Sequence, residues 1–231
     1  GTFLRSLFAL RHYFRAVASA GARGDDFDVL RQHGIAAEIA MLRATGGVNT
    51  HRGAIFSLGL LVVSASAYRQ SSGTTPTGEQ VCEGVRQWAH ALGAAPLDPH
   101  SPGQRARVRH GVAGVREQAA AGYPILRTLA LPTLRHALGA GLSREAALCH
   151  TLMQLVAHVD DLNLLHRGGA EGLHWAREQA TGFIDDGGAF APGWRARLQT
   201  LCNAFAARRL SPGGSADLLA CSWFLLQQEA V

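Results

Sequence analysis

Residues 46–59 combine glycines with amide, hydroxyl and ionisable side chains just before an apolar run. A helix that begins here presents unpaired backbone N–H groups and the positive end of its dipole, and together these bind anions. His51 and Arg52 would stand in the first turn, where the dipole favours acidic residues. Capping by Asn49 or Thr50 is the simpler interpretation. The misplaced positive charge nevertheless indicates an anionic ligand, bound by Gly47, Asn49, Thr50, His51 and Arg52.

Residues 210–220 repeat this arrangement far along the chain. In one interpretation Ser215 is a helix N-cap and Asp217 is a favourable acid in the first turn. In the other, the backbone forms a phosphate nest and Asp217 binds a metal ion or a ribose hydroxyl. Two such loops in one chain predict a phosphate-rich ligand, or a pair of them. The predicted contacts in this loop are Ser211, Gly213, Gly214 and Ser215.

Asp160 and Asp161 are adjacent carboxylates at the end of an apolar helical pattern. Helical spacing would place His158 beside Asp161, and Asp160 beside Asn163. Neighbouring carboxylates repel each other unless a cation relieves them, and Mg²⁺ is bound by carboxylates together with substrate phosphates. Asp160 and Asp161 are therefore predicted metal ligands, with a solvated helix end as the alternative.

Glu38 lies among small and apolar residues, so it is either a helix-surface residue or a buried functional acid. Arg116 and Glu117 precede a Gly-Tyr-Pro break, where an exposed ion pair is the simpler account.

All 22 basic residues are arginine, and the net charge is +5. The absence of lysine excludes a Schiff-base lysine and the lysine of a Walker A loop. Phosphate must therefore be bound by arginine, backbone N–H groups, helix dipoles or a metal ion. The densest basic run, Arg105, Arg107 and Arg109, has no interleaved aromatic residues, so nucleic-acid binding is not predicted.

The four cysteines have no CxxC spacing, which argues against a zinc site and favours buried thiols in a reducing cytoplasm. The apolar stretch 54–67 is too short, and too rich in glycine and serine, to cross a membrane.

Apolar residues recur at helical spacing from end to end, and no segment alternates with period two between hairpin turns. The first helix would have an apolar face formed by Phe3, Leu4, Leu7, Phe8, Leu10, Phe14 and Val17. We therefore predict an all-α fold, with residues 1–231 forming one catalytic domain of roughly nine or ten helices. After the first, the predicted helices span about residues 27–43, 53–69, 79–92, 105–121, 124–138, 144–164, 171–184, 194–208 and 215–228, with a loop at 93–103.

At these residues the chain resembles the triphosphoribosyl-dephospho-CoA synthase family. Gly46–Gly59 and Leu210–Ala220 match its two hallmark segments. Residues 116–124, 161–163 and 166–169 follow in the expected order between them. The resemblance covers essentially the whole chain. It implies an all-α enzyme that joins ATP to 3′-dephospho-CoA, in which the acceptor's 2′-hydroxyl attacks C1 of the ATP ribose and expels adenine.

The resemblance also implies roles for individual residues. Glu38, Asp161 and Asp217 are candidates to take the hydroxyl proton or to stabilise an oxocarbenium-like centre. Arg116, Asn163 and Arg167 join the two loops in binding phosphate, and Mg²⁺ accompanies ATP. The product would pass to an acyl-carrier protein through a separate transferase, and a homodimer is left open.

The chain departs from the family pattern at several positions. Leu162 stands where the family carries threonine, and Gln118 where it often carries glutamate. The segment at Arg116 and the run at 164–169 are closer to the malonate decarboxylase branch than to the citrate lyase branch. The family stretch with a Gly-Ala-His-x-Asp-Met-Asp motif has no counterpart, so we expect a chain that lacks its beginning.

Two alternative functions remain open at this point. One is a metal-dependent phosphohydrolase that uses His158, Asp160 and Asp161. The other is a non-catalytic protein that binds nucleotide or CoA.

Overall fold

The computed structural model describes residues 2–94, 109 and 111–230, with side chains from residue 5 onwards. Throughout these ranges the regular structure is helical and contains no strand, which confirms the all-α prediction. Arg105, Arg107, most of the predicted loop at 93–103 and the beginning of the predicted helix 105–121 lie outside the described residues.

The described chain divides into two compact units. Unit 1 comprises residues 2–94, 115–123 and 223–230, and unit 2 comprises 109, 111–114 and 124–222. That residues 1–231 act as one catalytic domain stays a prediction.

Unit 1 is built on three long helices. Its helices are α1 (Thr2–Arg23), α2 (Phe27–Thr45), α3 (Arg52–Ser72), α4 (Gly78–Val85), a 3₁₀ turn (Arg86–Trp88), α5 (Ala89–Ala94) and α6 (Val115–Ala120). Helix α1 packs against both α2 and α3. Leu10, Met41 and Ile55 meet in one buried cluster, and Val17, Leu30 and Val63 meet in another.

Unit 2 is centred on the packing of two helices, α8 and α9. Its elements are a π-helical turn (Leu126–Ala130), α7 (Leu131–Gly139), α8 (Arg144–His158), α9 (Leu162–Asp185), a 3₁₀ turn (Gly188–Phe190), α10 (Trp194–Ala207) and the first part of α11 (Gly213–Glu229). Helix α8 lies along α9 and also contacts α7. Met153, Leu165, Phe183 and Phe205 belong to the core between these helices.

The predicted helix 144–164 is wrong, because α8 ends at His158 and Val159 is extended. A new helix begins at Leu162, with Asp161 as its N-cap. The Asp161 carboxylate accepts the backbone N–H groups of Asn163 and Leu164, so it replaces the helical bonds that would have continued α8. His158 and Asp161 are therefore not neighbours on one helix.

Several other boundaries also differ from the predicted ones. Helix α9 begins well before residue 171 and continues through a kink at Gly169, whose φ of 63° suits glycine. A 3₁₀ turn interrupts the predicted helix 79–92, and residues 112–114 lie outside any helix. Helix α11 begins at Gly213, so Ser215 is inside the helix rather than its N-cap.

The buried face of α1 is also displaced from the predicted one. Leu10 and Val17 are buried as predicted, but Phe8 is 76% exposed and Leu7 is 44% exposed. Ser6 is fully buried instead.

Among the described helices, none combines the length and apolar character needed to cross a membrane. The cytoplasmic location stays a prediction.

Candidate functional site

The first predicted loop connects α2 to α3 and is held by backbone bonds at its beginning. Gly46 ends α2 in the left-handed conformation, and the N–H of Gly47 donates to the Leu42 carbonyl at 2.8 Å. The buried Thr45 hydroxyl lies 2.6 Å from the carbonyl oxygen of Val48. The Asn49 side chain accepts the N–H of Arg52 at 3.0 Å, so Asn49 does satisfy the first N–H of α3. The loop thus delivers His51 and Arg52 to the start of α3, as predicted.

His51 is enclosed by hydroxyl groups rather than presented to solvent. Its side chain is 8% exposed, and Nδ1 lies 3.0 Å from Ser6 Oγ and 2.9 Å from Thr50 Oγ1. The Thr50 hydroxyl in turn donates to Ser6 Oγ at 3.0 Å. Burial lowers the pKa of His51, which favours the neutral imidazole. His51 and Thr50 therefore brace the loop against α1.

Sequence reasoning missed Ser6, because nothing in the local pattern connects it to a loop 45 residues away. The available signal was a small hydroxyl side chain among the apolar residues at the start of α1.

Glu38 forms an ion pair with Arg52, with Oε2 2.9 Å from Nε. The two side chains are 31% and 35% exposed, so the pair is neither a buried acid nor a solvated surface contact. Burial, together with the charge of Glu38, raises the pKa of Tyr13, whose hydroxyl donates to the Ile55 carbonyl at 2.9 Å. The structure thus brings Glu38 to the predicted loop and leaves part of both charged groups accessible to a ligand.

Asp161 connects the starts of α9 and α11. It is 1% exposed, and Oδ1 accepts the N–H groups of Asn163 at 2.9 Å and Leu164 at 3.2 Å. Oδ2 accepts both the N–H and the hydroxyl of Ser215, at 2.7 Å and 2.9 Å. Asp161 and Ser215 were predicted separately, and the structure brings them into direct contact.

The two glycines before Ser215 allow this close approach. A Cβ at Gly213 would lie 2.0 Å from Nδ2 of Asn163, and one at Gly214 would lie 3.2 Å from the Asp161 carboxylate. The tight contact with the Asp161 carboxylate favours glycine at 214, whereas the exposed Asn163 side chain could move away from a Cβ at 213. The predicted phosphate nest stays a prediction. Asp217 is the fifth residue of α11, so it lies just beyond the first turn, in which it was predicted, and it is half-buried.

The predicted metal ligands are each held by protein groups. Asp160 is bound to Arg177 at 2.8 Å, and both oxygens of Asp161 already accept two hydrogen bonds. Within residues 2–94, 109 and 111–230, no three His, Cys, Asp or Glu side chains are arranged to hold a metal ion. This donor set does not fit a protein-held Mg²⁺ site, and the Mg²⁺ requirement stays a prediction.

The remaining predicted residues lie at the surface of their own units. Arg116 is half-buried on α6 in unit 1. Asn163, Arg167 and Ser211 are exposed in unit 2. Their roles in phosphate binding stay predictions.

Comparison of the chain with known proteins finds relatives that all belong to one family. Residues 1–230 match the family model described as ATP:dephospho-CoA triphosphoribosyl transferase. The 2-(5''-triphosphoribosyl)-3'-dephosphocoenzyme-A synthase of Pectobacterium atrosepticum is 38% identical over 233 residues, which cover 96% of this chain and 75% of that protein. The Klebsiella pneumoniae protein of the same name is 40% identical over 203 residues, covering 85% of this chain and 67% of that protein. A crystal structure of a candidate triphosphoribosyl-dephospho-CoA synthase from Archaeoglobus fulgidus has the same fold, with a TM-score of 0.65, 16% identity and 98% coverage of both chains.

Proposed function

This chain belongs to the ATP:dephospho-CoA triphosphoribosyl transferase family, and from that premise we propose that it transfers the triphosphoribosyl group of ATP to 3′-dephospho-CoA. The observation that carries the proposal is the match of the whole chain, both loops included, to that family. In the reaction, the 2′-hydroxyl oxygen of dephospho-CoA forms a bond to C1 of the ATP ribose. The bond from C1 to adenine breaks, adenine takes up one proton in exchange for the one that the hydroxyl gives up, and the triphosphate stays on the ribose.

A carboxylate takes the proton of the attacking hydroxyl in this proposal. Glu38 supports the role because its side chain is partly exposed and lies beside the first loop. Asp217 supports it because it is half-buried near the start of α11. Asp161, the third predicted catalytic acid, already accepts four hydrogen bonds. General-base assistance typically contributes ~10²–10⁴-fold to such a step.

The two loops bind the polyphosphate groups of ATP and dephospho-CoA, and either loop could bind either substrate. In the first loop, Arg52 supplies a guanidinium fork for phosphate. The Gly47 N–H and the Thr50 hydroxyl already donate to Leu42 and Ser6, so they hold the loop that carries Arg52. In the second loop, the exposed Ser211 and the backbone of Gly213 and Gly214 supply the donors. Arg116, Asn163 and Arg167 add donors within their own units.

Mg²⁺ would accompany ATP, and it would supply positive charge that neutralises the triphosphate. The product is the prosthetic-group precursor of malonate decarboxylase, with citrate lyase as the alternative. It passes to an acyl-carrier protein through a separate transferase. We further propose that the enzyme acts in the cytoplasm, where ATP and dephospho-CoA are both available.

The test is to incubate the full chain with ATP, Mg²⁺ and dephospho-CoA and to measure free adenine. We expect adenine in proportion to the acceptor consumed, and none when the acceptor lacks its 2′-hydroxyl. Phosphate release without an acceptor would instead identify a phosphohydrolase. Binding of both substrates without turnover would identify a binding protein.

The matched variants are Glu38→Gln and Glu145→Gln. Each removes a carboxylate that is paired with an arginine, but the Glu145–Arg195 pair lies on the exposed surface of unit 2. If Glu38 takes the proton, its substitution lowers kcat by ~10²-fold or more, while the Glu145 variant keeps wild-type kcat. Equal kcat values in the two variants would remove Glu38 from the reaction.

A further inference from the structure

Asp161 is a buried carboxylate whose four hydrogen-bond donors are all uncharged. Three are backbone N–H groups and the fourth is the Ser215 hydroxyl. The buried carboxylate is therefore compensated by oriented dipoles rather than by a cation among these partners.

Two helix N-termini point at this single side chain. Asp161 is the N-cap of α9, and it accepts the N–H of Ser215, which is the third residue of α11. The positive ends of both helix dipoles stabilise negative charge at this point. The carboxylate therefore takes the place of an external anion at the N–H of Ser215, and the N–H groups of Gly213 and Gly214 are not among its donors.

The contacts also fix where the first turn of α11 can lie. Gly213 lies against the Asn163 amide, and Gly214 lies so close to the Asp161 carboxylate that a Cβ would be 3.2 Å from it. Ser215 is fully buried and is held by two hydrogen bonds. Since Asp217 is the fifth residue of α11, two residues after Ser215, its position depends on this attachment.

We propose that Asp161 is a positioning residue, which fixes the first turn of α11 through Ser215 and so places Asp217 for the reaction, and that it is not a ligand of Mg²⁺. The inference rests on the proposed transferase function. It replaces the prediction that Asp161 binds a metal ion. A metal ion would have to displace the N–H and hydroxyl donors that already bond to the carboxylate.

The first experiment measures how adenine release depends on Mg²⁺ concentration in the wild type, Asp161→Asn and Ser215→Ala. An amide at residue 161 directs an NH₂ group at N–H donors, and alanine at 215 removes one donor and leaves the carboxylate in place. We expect kcat to fall ~10–100-fold in each variant, with the half-saturating Mg²⁺ concentration unchanged within about twofold. A metal ligand and its supporting hydroxyl would instead raise that concentration ~10–100-fold in both variants, which would overturn the proposal.

The second experiment separates positioning from a general loss of stability. Ser215→Ala is compared in the wild-type background and in an Asp217→Asn background. If Ser215 and Asp161 act through Asp217, the loss caused by Ser215→Ala shrinks to less than about twofold once Asp217 is gone. The same loss in both backgrounds would overturn the proposal. If Asp161→Asn does not fold, the Ser215→Ala comparison decides alone.

Asp186→Asn is the control, since Asp186 is an exposed acid at the end of α9 and should keep wild-type kcat. A wild-type protein that releases no acceptor-dependent adenine would mean that the proposed function itself has failed. An active wild type with a changed Mg²⁺ requirement in the variants would reject only the role of Asp161.

Discussion

The ionisable residues in and beside the two loops differ in how many of their polar atoms are bonded within the protein. Asp161 gives both oxygens to internal donors, whereas Glu38 keeps an exposed fraction beside Arg52. His51 is surrounded by Ser6 and Thr50 and is nearly inaccessible. The sequence predicts a functional role for each of these residues. Their hydrogen-bond partners show that Asp161 and His51 hold the fold together, whereas Glu38 is accessible to a ligand.

Burial of His51 makes the stability of the fold depend on pH. Its pKa in the folded state is lowered from the ordinary value of 6.5, so below that pH the unfolded chain binds more protons. The neutral His51 therefore stabilises the fold above pH 6.5, and this contribution is lost as the pH falls. His51→Asn keeps a polar group near Ser6 and Thr50 but does not titrate. We expect it to cost about 1–3 kcal/mol at pH 7.5 and to reduce the loss of stability between pH 7.5 and 5.5.

Urea unfolding of the wild type and His51→Asn at the two pH values measures this effect. The pKa of His150 is also lowered by burial, so part of the pH dependence should persist in the variant. His12→Asn, at an exposed position on α1, is the control and should behave as the wild type. An unchanged loss of stability in His51→Asn would contradict the account.

At the scale of elements, α1 and α3 are in backbone contact at Gly21. A Cβ there would lie 2.5 Å from the carbonyl oxygen of Val63 and 2.9 Å from its Cα, and neither atom can move without shifting α3. A Cβ at Gly34 on α2 would have no such contact within 4 Å. We expect Gly21→Ala to lower the free energy of unfolding by at least about 2 kcal/mol. Gly34→Ala should raise it by roughly 0.5–1 kcal/mol.

Thermal and urea unfolding of these two variants provide the measurement, and each is the control for the other. Equal effects would mean that glycine's backbone entropy, rather than the contact between α1 and α3, determines the outcome.

Helix positions were predictable where the apolar residues keep a helical spacing and no side chain offers an alternative hydrogen bond to the backbone. The predicted helix 53–69 corresponds to α3, Arg52–Ser72, within three residues at either end. The prediction was wrong at Asp161, where a side chain takes over backbone N–H groups and begins a new helix. An aspartate before an apolar run is itself an N-cap signal, but the longer apolar period outweighed it.

Each of the two loops was predictable as the start of a helix, but the contacts that its residues make were not. Asp161 meets Ser215 across 54 residues of sequence, and Ser6 meets His51 across 45. Local propensity and periodicity carry no information at that range. The fold therefore decided which of the predicted polar residues face each other and which face solvent.

At the scale of the whole molecule, charge is the property that the chain offers to distant ligands. All 22 basic residues are arginine, and the net charge is +5. ATP and dephospho-CoA are polyanions, so the excess positive charge attracts both before contact, and salt screens that attraction. We expect the KM for each substrate to rise about 3–10-fold between roughly 0.05 M and 0.3 M NaCl, with a smaller change in kcat.

Steady-state adenine release at several salt concentrations measures the effect, with sucrose at matched osmolarity as the control. Sucrose should leave KM unchanged, because it does not screen charge. The hydrogen bonds of Asp161 are buried, so counter-ions screen them far less than they screen the surface arginines. Salt should therefore act on KM and leave the positioning of Asp217 intact. A fall in kcat at constant KM would show that salt acts on the folded site rather than on the approach of the substrates.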